Sequence, residues 1–236
     1  MNFSGACRSI RLSSLRAGWI PLLVAGCTTF GTVSSASVNE GLSGTGQVSI
    51  SLPPGDDIAW FYSTDCASEC NKAIVGGDGA VSFGHRGGEG GLAYALGGGI
   101  NGGYPYVEGY VQLDRGTGNP WGLGLRVGIP ISGWNEHQLY GRYDIPLSDG
   151  TRILLNPTVF YHTGNSPDGE LPGWFLAFVQ GCGWMIPGRI MDITPALSLV
   201  VAYGERTNLG TDLGSFTSVF GTASFVVTVH RPRDDG

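Results

Sequence analysis

Trp121-Gly122-Leu123-Gly124-Leu125-Arg126-Val127-Gly128-Ile129-Pro130 is the stretch whose reading decides the fold. Its odd positions, Trp121, Leu123, Leu125, Val127 and Ile129, are all large and apolar. Its even positions are glycine except for one cation, Arg126, before the closing Pro130. Successive side chains of an extended strand point to opposite faces, so the alternation gives one greasy face and one nearly bare face. A helix would scatter the same residues around its circumference, and the stretch is read as a strand.

Sidedness follows from what the bare face lacks. A soluble sandwich or lipocalin-type barrel turns its apolar face inward and shows water a face rich in Lys, Glu and Asp. Here the second face is Gly with one Arg, which suits a narrow, crowded interior. The face of Trp, Leu, Val and Ile suits lipid. This inside-out pattern predicts a transmembrane β-barrel.

The composition agrees. Charged residues make up 14% of the 236 and Lys72 is the single lysine, against roughly 25% charged in soluble domains. The 41 glycines follow no G-X-Y period, which excludes collagen. No apolar run approaches the ~20 residues of a spanning helix. The net charge is −6, and the first 26 residues hold Arg8, Arg11 and Arg16 and no acid, so the remainder is more acidic still. Nucleic acid is excluded as a partner.

At the N-terminus a basic region is followed by the short apolar run Ala17–Ala25, the layout of a secretory signal over residues 1–26. The end of that run, Leu23-Val24-Ala25-Gly26-Cys27, resembles the bacterial lipobox, in which the cysteine is lipidated and becomes the mature N-terminus. The resemblance implies lipidation of Cys27, and Thr28 in place of an Asp implies the outer membrane. The alternative is cleavage near Ser34-Ser35-Ala36 with loss of Cys27. Residues 27–46, rich in Ser, Thr and Gly, are expected to form a flexible tether.

Residues 47–90 are expected to hold short extended segments. Gln47–Leu52 alternates, Pro53-Pro54-Gly55-Asp56-Asp57 forces a loop, and Ile58–Tyr62 is a further extended candidate. Val81 and Phe83 alternate with Ser82 and Gly84. Cys66 and Cys70 predict a disulfide closing a small loop in an exported chain. A metal site would need further ligands, and His85 is the nearest histidine, so no metal is expected. Cys182 is expected to be a small buried apolar side chain.

From Gly91 onward extended segments recur at about 91–101, 104–113, 121–130, 137–146, 151–162, 173–185, 190–203 and 217–229. Each has the length of a tilted strand crossing a bilayer, and the connections carry Gly, Pro, Asn and Asp. The barrel is placed at 91–230 and a polar tail at 231–236. Parity holds in most segments: Leu139, Tyr143 and Ile145 oppose Gln138, Tyr140, Arg142 and Asp144, and Leu197, Leu199 and Val201 oppose Ala196 and Ser198. Trp174–Val179 is apolar on both faces and cannot be phased. Five charges fall inside strands, Glu108, Arg126, Arg142, Asp144 and Asp192, all opposite the greasy face. Trp121, Trp174, Trp184, Tyr161 and Tyr203 fall near strand ends, where interfacial girdles belong.

On this pattern the chain resembles small eight-stranded bacterial outer-membrane barrels whose interior is filled by side chains. The implied fold is all-β, an antiparallel up-and-down transmembrane barrel of about eight strands, or ten if it begins at residue 47. Such barrels often end on an aromatic residue, whereas this chain continues past His230 to Gly236. Connections Gly164–Pro172 and Gly204–Phe216 are the longest and are expected to face outward.

Inside the lumen Glu108, Arg126, Arg142 and Asp144 are expected to meet as a charge-neutralising salt-bridge network. Tyr161-His162-Thr163-Gly164-Asn165-Ser166 loosely resembles the His-x-Ser-Asn element of lipid A deacylases. His162 and Asn165 match, but Gly164 stands at the nucleophile position and Ser166 lies two residues further on. No catalysis and no cofactor are therefore expected. The chain reads as a monomeric, lipid-anchored outer-membrane barrel with a structural or surface-interaction role. Its partners would be the membrane lipid and any surface ligand met by the outward loops. A soluble lipocalin-like binding lipoprotein and a lipid A deacylase-like enzyme are the alternatives.

Overall fold

A computed structural model of the chain describes residues 29–52, 74–87, 92–102, 104–113, 119–130, 135–165, 172–208 and 211–232. Ten antiparallel strands form a closed barrel: β1 (Gly41–Ser51), β2 (Ile74–Arg86), β3 (Ala93–Asn101), β4 (Tyr104–Gln112), β5 (Trp121–Gly128), β6 (Asn135–Pro146), β7 (Arg152–Asn165), β8 (Pro172–Met185), β9 (Met191–Asn208) and β10 (Thr211–Val229). Every strand pairs with its sequence neighbours, and β1 closes the ring against β10 from Gly44↔Val229 to Ser51↔Thr222. Odd strands run from a first mouth, where β1 starts and β10 ends, to a second mouth, where β1 turns into β2.

The eight segments expected after Gly91 are β3–β10. The two further strands, β1 and β2, make the ten of the longer alternative, and because β1 begins at Gly41 rather than at residue 47 the barrel spans 41–229. The expected tether over 27–46 is corrected in the same way: Gly41–Gly46 is strand, and the residues from Thr29 to Val38 lie inside the barrel. Cys27, Cys66, Cys70 and Ile58–Tyr62 lie outside the described residues.

The greasy face is the outer one. Leu123 and Leu125 are each 52% exposed while Arg126, the next residue along the strand, is 3% exposed. A soluble barrel has the reverse arrangement. Trp121, Tyr143 and Trp184 ring the first mouth, and Tyr161, Trp174 and Tyr203 ring the second, where Trp174 and Tyr203 meet edge to face. Between these rings, among the described residues, no outward side chain is charged. From Trp174 to Trp184 the strand covers about 33 Å at ~3.3 Å per residue. At a ~40° tilt that is about 25 Å, the height of the apolar band of an outer-membrane barrel.

The inner glycines make room for rings. A Cβ on Gly122 would lie 2.4 Å from the Tyr110 hydroxyl, and one on Gly124 would lie 2.1 Å from Cζ of Tyr140. The bare face of β5 is therefore a seat for tyrosines sent across from β4 and β6.

On β8 the structure supplies a phase and corrects one expectation, and it corrects another on the β9–β10 connection. Phe175, Ala177 and Val179 point inward and Leu176 and Phe178 outward, which phases the strand the sequence left open. Cys182 shares the outward phase and is exposed, not buried. Gly204–Phe216 is largely strand rather than loop, with a register shift between Asp212 and Ser215 beside Gly214. On the β6–β7 turn the Thr151 hydroxyl and amide both donate to Asp149 and hold its carboxyl below the usual range.

Gly124→Ala is expected to destabilise the folded barrel by about 1–3 kcal/mol through overpacking against Tyr140. Gly46→Ala, with no atom within 4 Å of the new Cβ, should leave stability nearly unchanged. Urea unfolding of the two variants in the same lipid checks the contrast.

Candidate functional site: a lumen occupied by the chain's own N-terminal segment

The segment from Thr29 to Val38 runs through the lumen with Phe30, Val33, Ala36 and Val38 buried. It has no neighbouring strand, so its peptide groups must find side-chain partners on the wall. They do. Thr29 N donates to Asn101 Oδ1 at 2.8 Å, and Asn101 Nδ2 donates back to the Thr29 carbonyl at 3.3 Å. Gln47 Nε2 donates to the Gly31 carbonyl at 3.2 Å and Asn156 Nδ2 to the Ser34 carbonyl at 3.1 Å. Ala36 N donates to Asp144 Oδ1 at 2.7 Å, while the Tyr110 hydroxyl donates to the Ala36 carbonyl at 2.8 Å. Val38 N donates to Gln112 Oε1 at 2.9 Å.

Apolar contacts alternate with these bonds along the segment. Phe30 sits among Phe160, Phe175 and Phe220, with ring centroids 5.8, 6.4 and 5.1 Å away. Val33 packs where two wall glycines leave space: a Cβ on Gly181 would come within 2.6 Å of Val33 Cγ2, and one on Gly183 within 2.7 Å of Val33 Cγ1. The inward apolar phase of β8 is thus a complement to the plug.

At mid-lumen the plug meets the charge cluster. Arg126 Nη1 binds Asp78 Oδ2 at 2.7 Å and Arg126 Nη2 binds Glu108 Oε2 at 2.8 Å. Arg142 Nη2 reaches Glu108 Oε1 at 3.2 Å. The Arg126 guanidinium lies 3.8 Å over the Tyr106 ring, and Arg142 sits between Tyr110 and Tyr140. Tyr106 also donates to Asp78 Oδ1 at 2.8 Å. Thr32 of the plug completes the set, donating to Asp78 Oδ2 and accepting from Arg126 Nη2. Two arginines and two carboxylates make a cluster of zero net charge, each ion held by more than one partner, as burial requires.

Of the four residues expected in this network, Glu108, Arg126 and Arg142 join it. Asp144 does not: its carboxylate accepts from Ser35 and the Ala36 amide and pairs with Arg152 at 3.1 Å. Asp78 takes the fourth place and was missed because it lies in the glycine-rich run Val75–Ala80, ahead of the expected barrel. Asp192 stands near the first mouth, 3.3 Å from His230 Nε2. His162 is buried on the lumen face against Phe175, ring centroids 4.9 Å apart. Beside the plug a cavity of about 80 Å³ is lined by Ser34, Ser37, Ser82, Asp78 and Glu108 among others. That is room for a few waters.

No protein-family model matches the chain, and no curated protein matches it. Among solved structures it is similar to the crystal structure of Neisserial surface protein A, with 11% identity, 82% of this chain and 99% of that chain covered, and a TM-score of 0.24. A likeness of that size carries no functional assignment.

Arg126→Met leaves the buried Asp78 carboxylate without its arginine and removes one of the two arginines on Glu108, so it is expected to cost about 3–5 kcal/mol. Arg142→Met removes one contact of Glu108 and should cost less. A double-mutant cycle between Arg126→Met and Glu108→Gln, read by urea unfolding, should return strong coupling, and additivity would contradict the cluster.

Proposed function

We propose that this protein is a bacterial outer-membrane β-barrel closed by its own N-terminal segment, with a structural or surface-interaction role. The observation that carries the reading is the uncharged apolar band between two aromatic rings on the outside of a closed barrel. An arginine in such a band would cost roughly 2–4 kcal/mol at the midplane. A soluble lipocalin-like binder would enclose Leu123 and Leu125, which here face out. The deacylase-like alternative gains no support from a His162 turned into the lumen with Gly164 at the nucleophile position.

The second mouth is taken as the cell exterior. Outer-membrane barrels keep short turns on the periplasmic side and longer connections outside, and the 52–73 connection opens at this mouth, beyond which β9 and β10 extend past Tyr203. Any surface ligand would be met there. Cys27 is proposed as the lipidated mature N-terminus. Cleavage near Ser34–Ala36 would discard Phe30 and Val33, whose sites in the wall are built to receive them.

The exported chain is expected to stay folded in detergent and to migrate faster unheated than boiled on a gel. Recovery as a soluble folded monomer in plain buffer would overturn the membrane reading. In planar bilayers the whole chain should not conduct, while deletion of residues 29–38 should produce measurable openings if the barrel still shows its unheated mobility.

A further inference from the structure

Thr29–Val38 is held as a bound peptide is held. Among the described residues, seven hydrogen bonds join its main chain to wall side chains at Asn101, Gln47, Asn156, Asp144, Tyr110 and Gln112. These partners come from β1, β3, β4, β6 and β7 and so stand around the segment. Each of the seven is a contact that a separate chain could make. The segment passes into β1 through Gly41, whose φ of +78° is open to glycine and whose missing Cβ would meet nothing within 4 Å. Gly41 is thus a joint, and the holding is done by the wall.

Main-chain bonds give affinity without choosing a sequence, and sockets for side chains make the choice. Three positions have such sockets. Phe30 lies among Phe160, Phe175 and Phe220. Gly31 has a φ of +74°, and a Cβ there would stand 3.1 Å from Val179 Cγ1. Val33 fills the space left by Gly181 and Gly183. Between the sockets the wall meets hydroxyls: Thr32 donates to Asp78 at 3.0 Å, Ser35 to Asp144 at 2.5 Å, and Arg152 donates to Ser37 at 2.7 Å. No residue from Thr29 to Val38 is charged. The ions beside it already balance, so a charged peptide would add an unpaired ion to the lumen.

We propose that the lumen is a peptide-binding site. Its ligand class is an uncharged, Ser- and Thr-rich peptide with the pattern Phe-Gly-x-Val, and Thr29–Val38 is the occupant held in cis. The proposal rests on closure of the barrel by this segment and is independent of lipidation. A short covalent link gives the tethered segment an effective concentration on the order of millimolar. A free peptide therefore gains the site only when that link is cut.

The test keeps the full chain and cuts it after folding. A protease site is inserted between Glu40 and Gly41, and in a second version between Asn39 and Glu40 in case the first disturbs the joint. Unheated gel mobility in detergent is scored before and after cutting. The piece ahead of the cut should stay with the barrel through gel filtration. A labelled synthetic peptide of Thr29–Val38, in excess, should replace it directly or on refolding from urea. The same peptide carrying Phe30→Ala should bind more than about tenfold more weakly, and the uncut chain should take up little of either. Loss of the piece on cutting, from a barrel that keeps its mobility, overturns the proposal. So does failure of the peptide to enter by either route, or equal uptake of a scrambled peptide. Equal uptake by cut and uncut chains overturns the role of the segment as occupant. Absence of the mobility shift in the chain without an insertion overturns the barrel, and this proposal with it.

Discussion

An extended chain laid along the axis of a closed barrel has no strand beside it, and each of its peptide groups must be met by the wall. A buried amide or carbonyl left unmet costs about 1–3 kcal/mol, and a segment of this length presents many of them. The inward polar residues of the barrel are placed by this requirement. Asn101, Gln47, Asn156, Tyr110, Asp144 and Gln112 come from five different strands, and each serves a peptide group of Thr29–Val38. They follow one another down the lumen in the order of the groups they bind. Side chains in that spiral do for the segment what a neighbouring strand would do in a sheet.

The charged residues divide by depth under the same rule. Arg142 and Asp144 sit two apart on β6 and share its inward face, yet they serve different partners. Two residues along a strand is a displacement of about 7 Å. That is enough to put Arg142 beside Glu108 and Asp144 beside the Ala36 amide. Arg126 lies opposite Glu108 in the β4–β5 register, so this pair of the cluster is set by strand pairing itself. Thr32 then ties the cluster to the plug, and the neutral sum lets it sit in a lumen that holds little water.

Sidedness was legible because it depends only on period two and on where charge is missing. Trp121–Pro130 carried it alone, and the orientation of Arg126, Arg142 and Asp192 followed. Depth was not legible, since alternation fixes the face a residue points to and not its height in the barrel; hence Asp144 was placed in the wrong company. The face of β8 was hidden for a different reason. Phe175, Ala177 and Val179 are apolar because they line the site of Phe30, so both faces of that strand are greasy. The plug itself was hidden by composition. Thr28-Thr29-Phe30-Gly31-Thr32-Val33-Ser34-Ser35-Ala36-Ser37-Val38 resembles linker sequence in its Ser, Thr and Gly. Its lack of any charge before Glu40 and its recurring apolar residues were the available signals.

The uncertain strand count and the misread tether have one physical cause. Eight strands enclose an interior just wide enough for side chains, and the bore widens as strands are added. β1 and β2 supply that additional width, and the residues immediately ahead of β1 fill it. An eight-stranded wall could not have admitted a backbone, while a ten-stranded wall without one would leave Asn101, Gln112 and Asn156 facing empty space. Barrel size and luminal segment therefore require each other. The glycine at position 41, which turns the chain from lumen into wall, is the joint between them. Glycines 181 and 183 narrow the argument further, because at both positions an added Cβ would meet Val33 first, with Thr194 of the neighbouring strand nearly as close at Gly183.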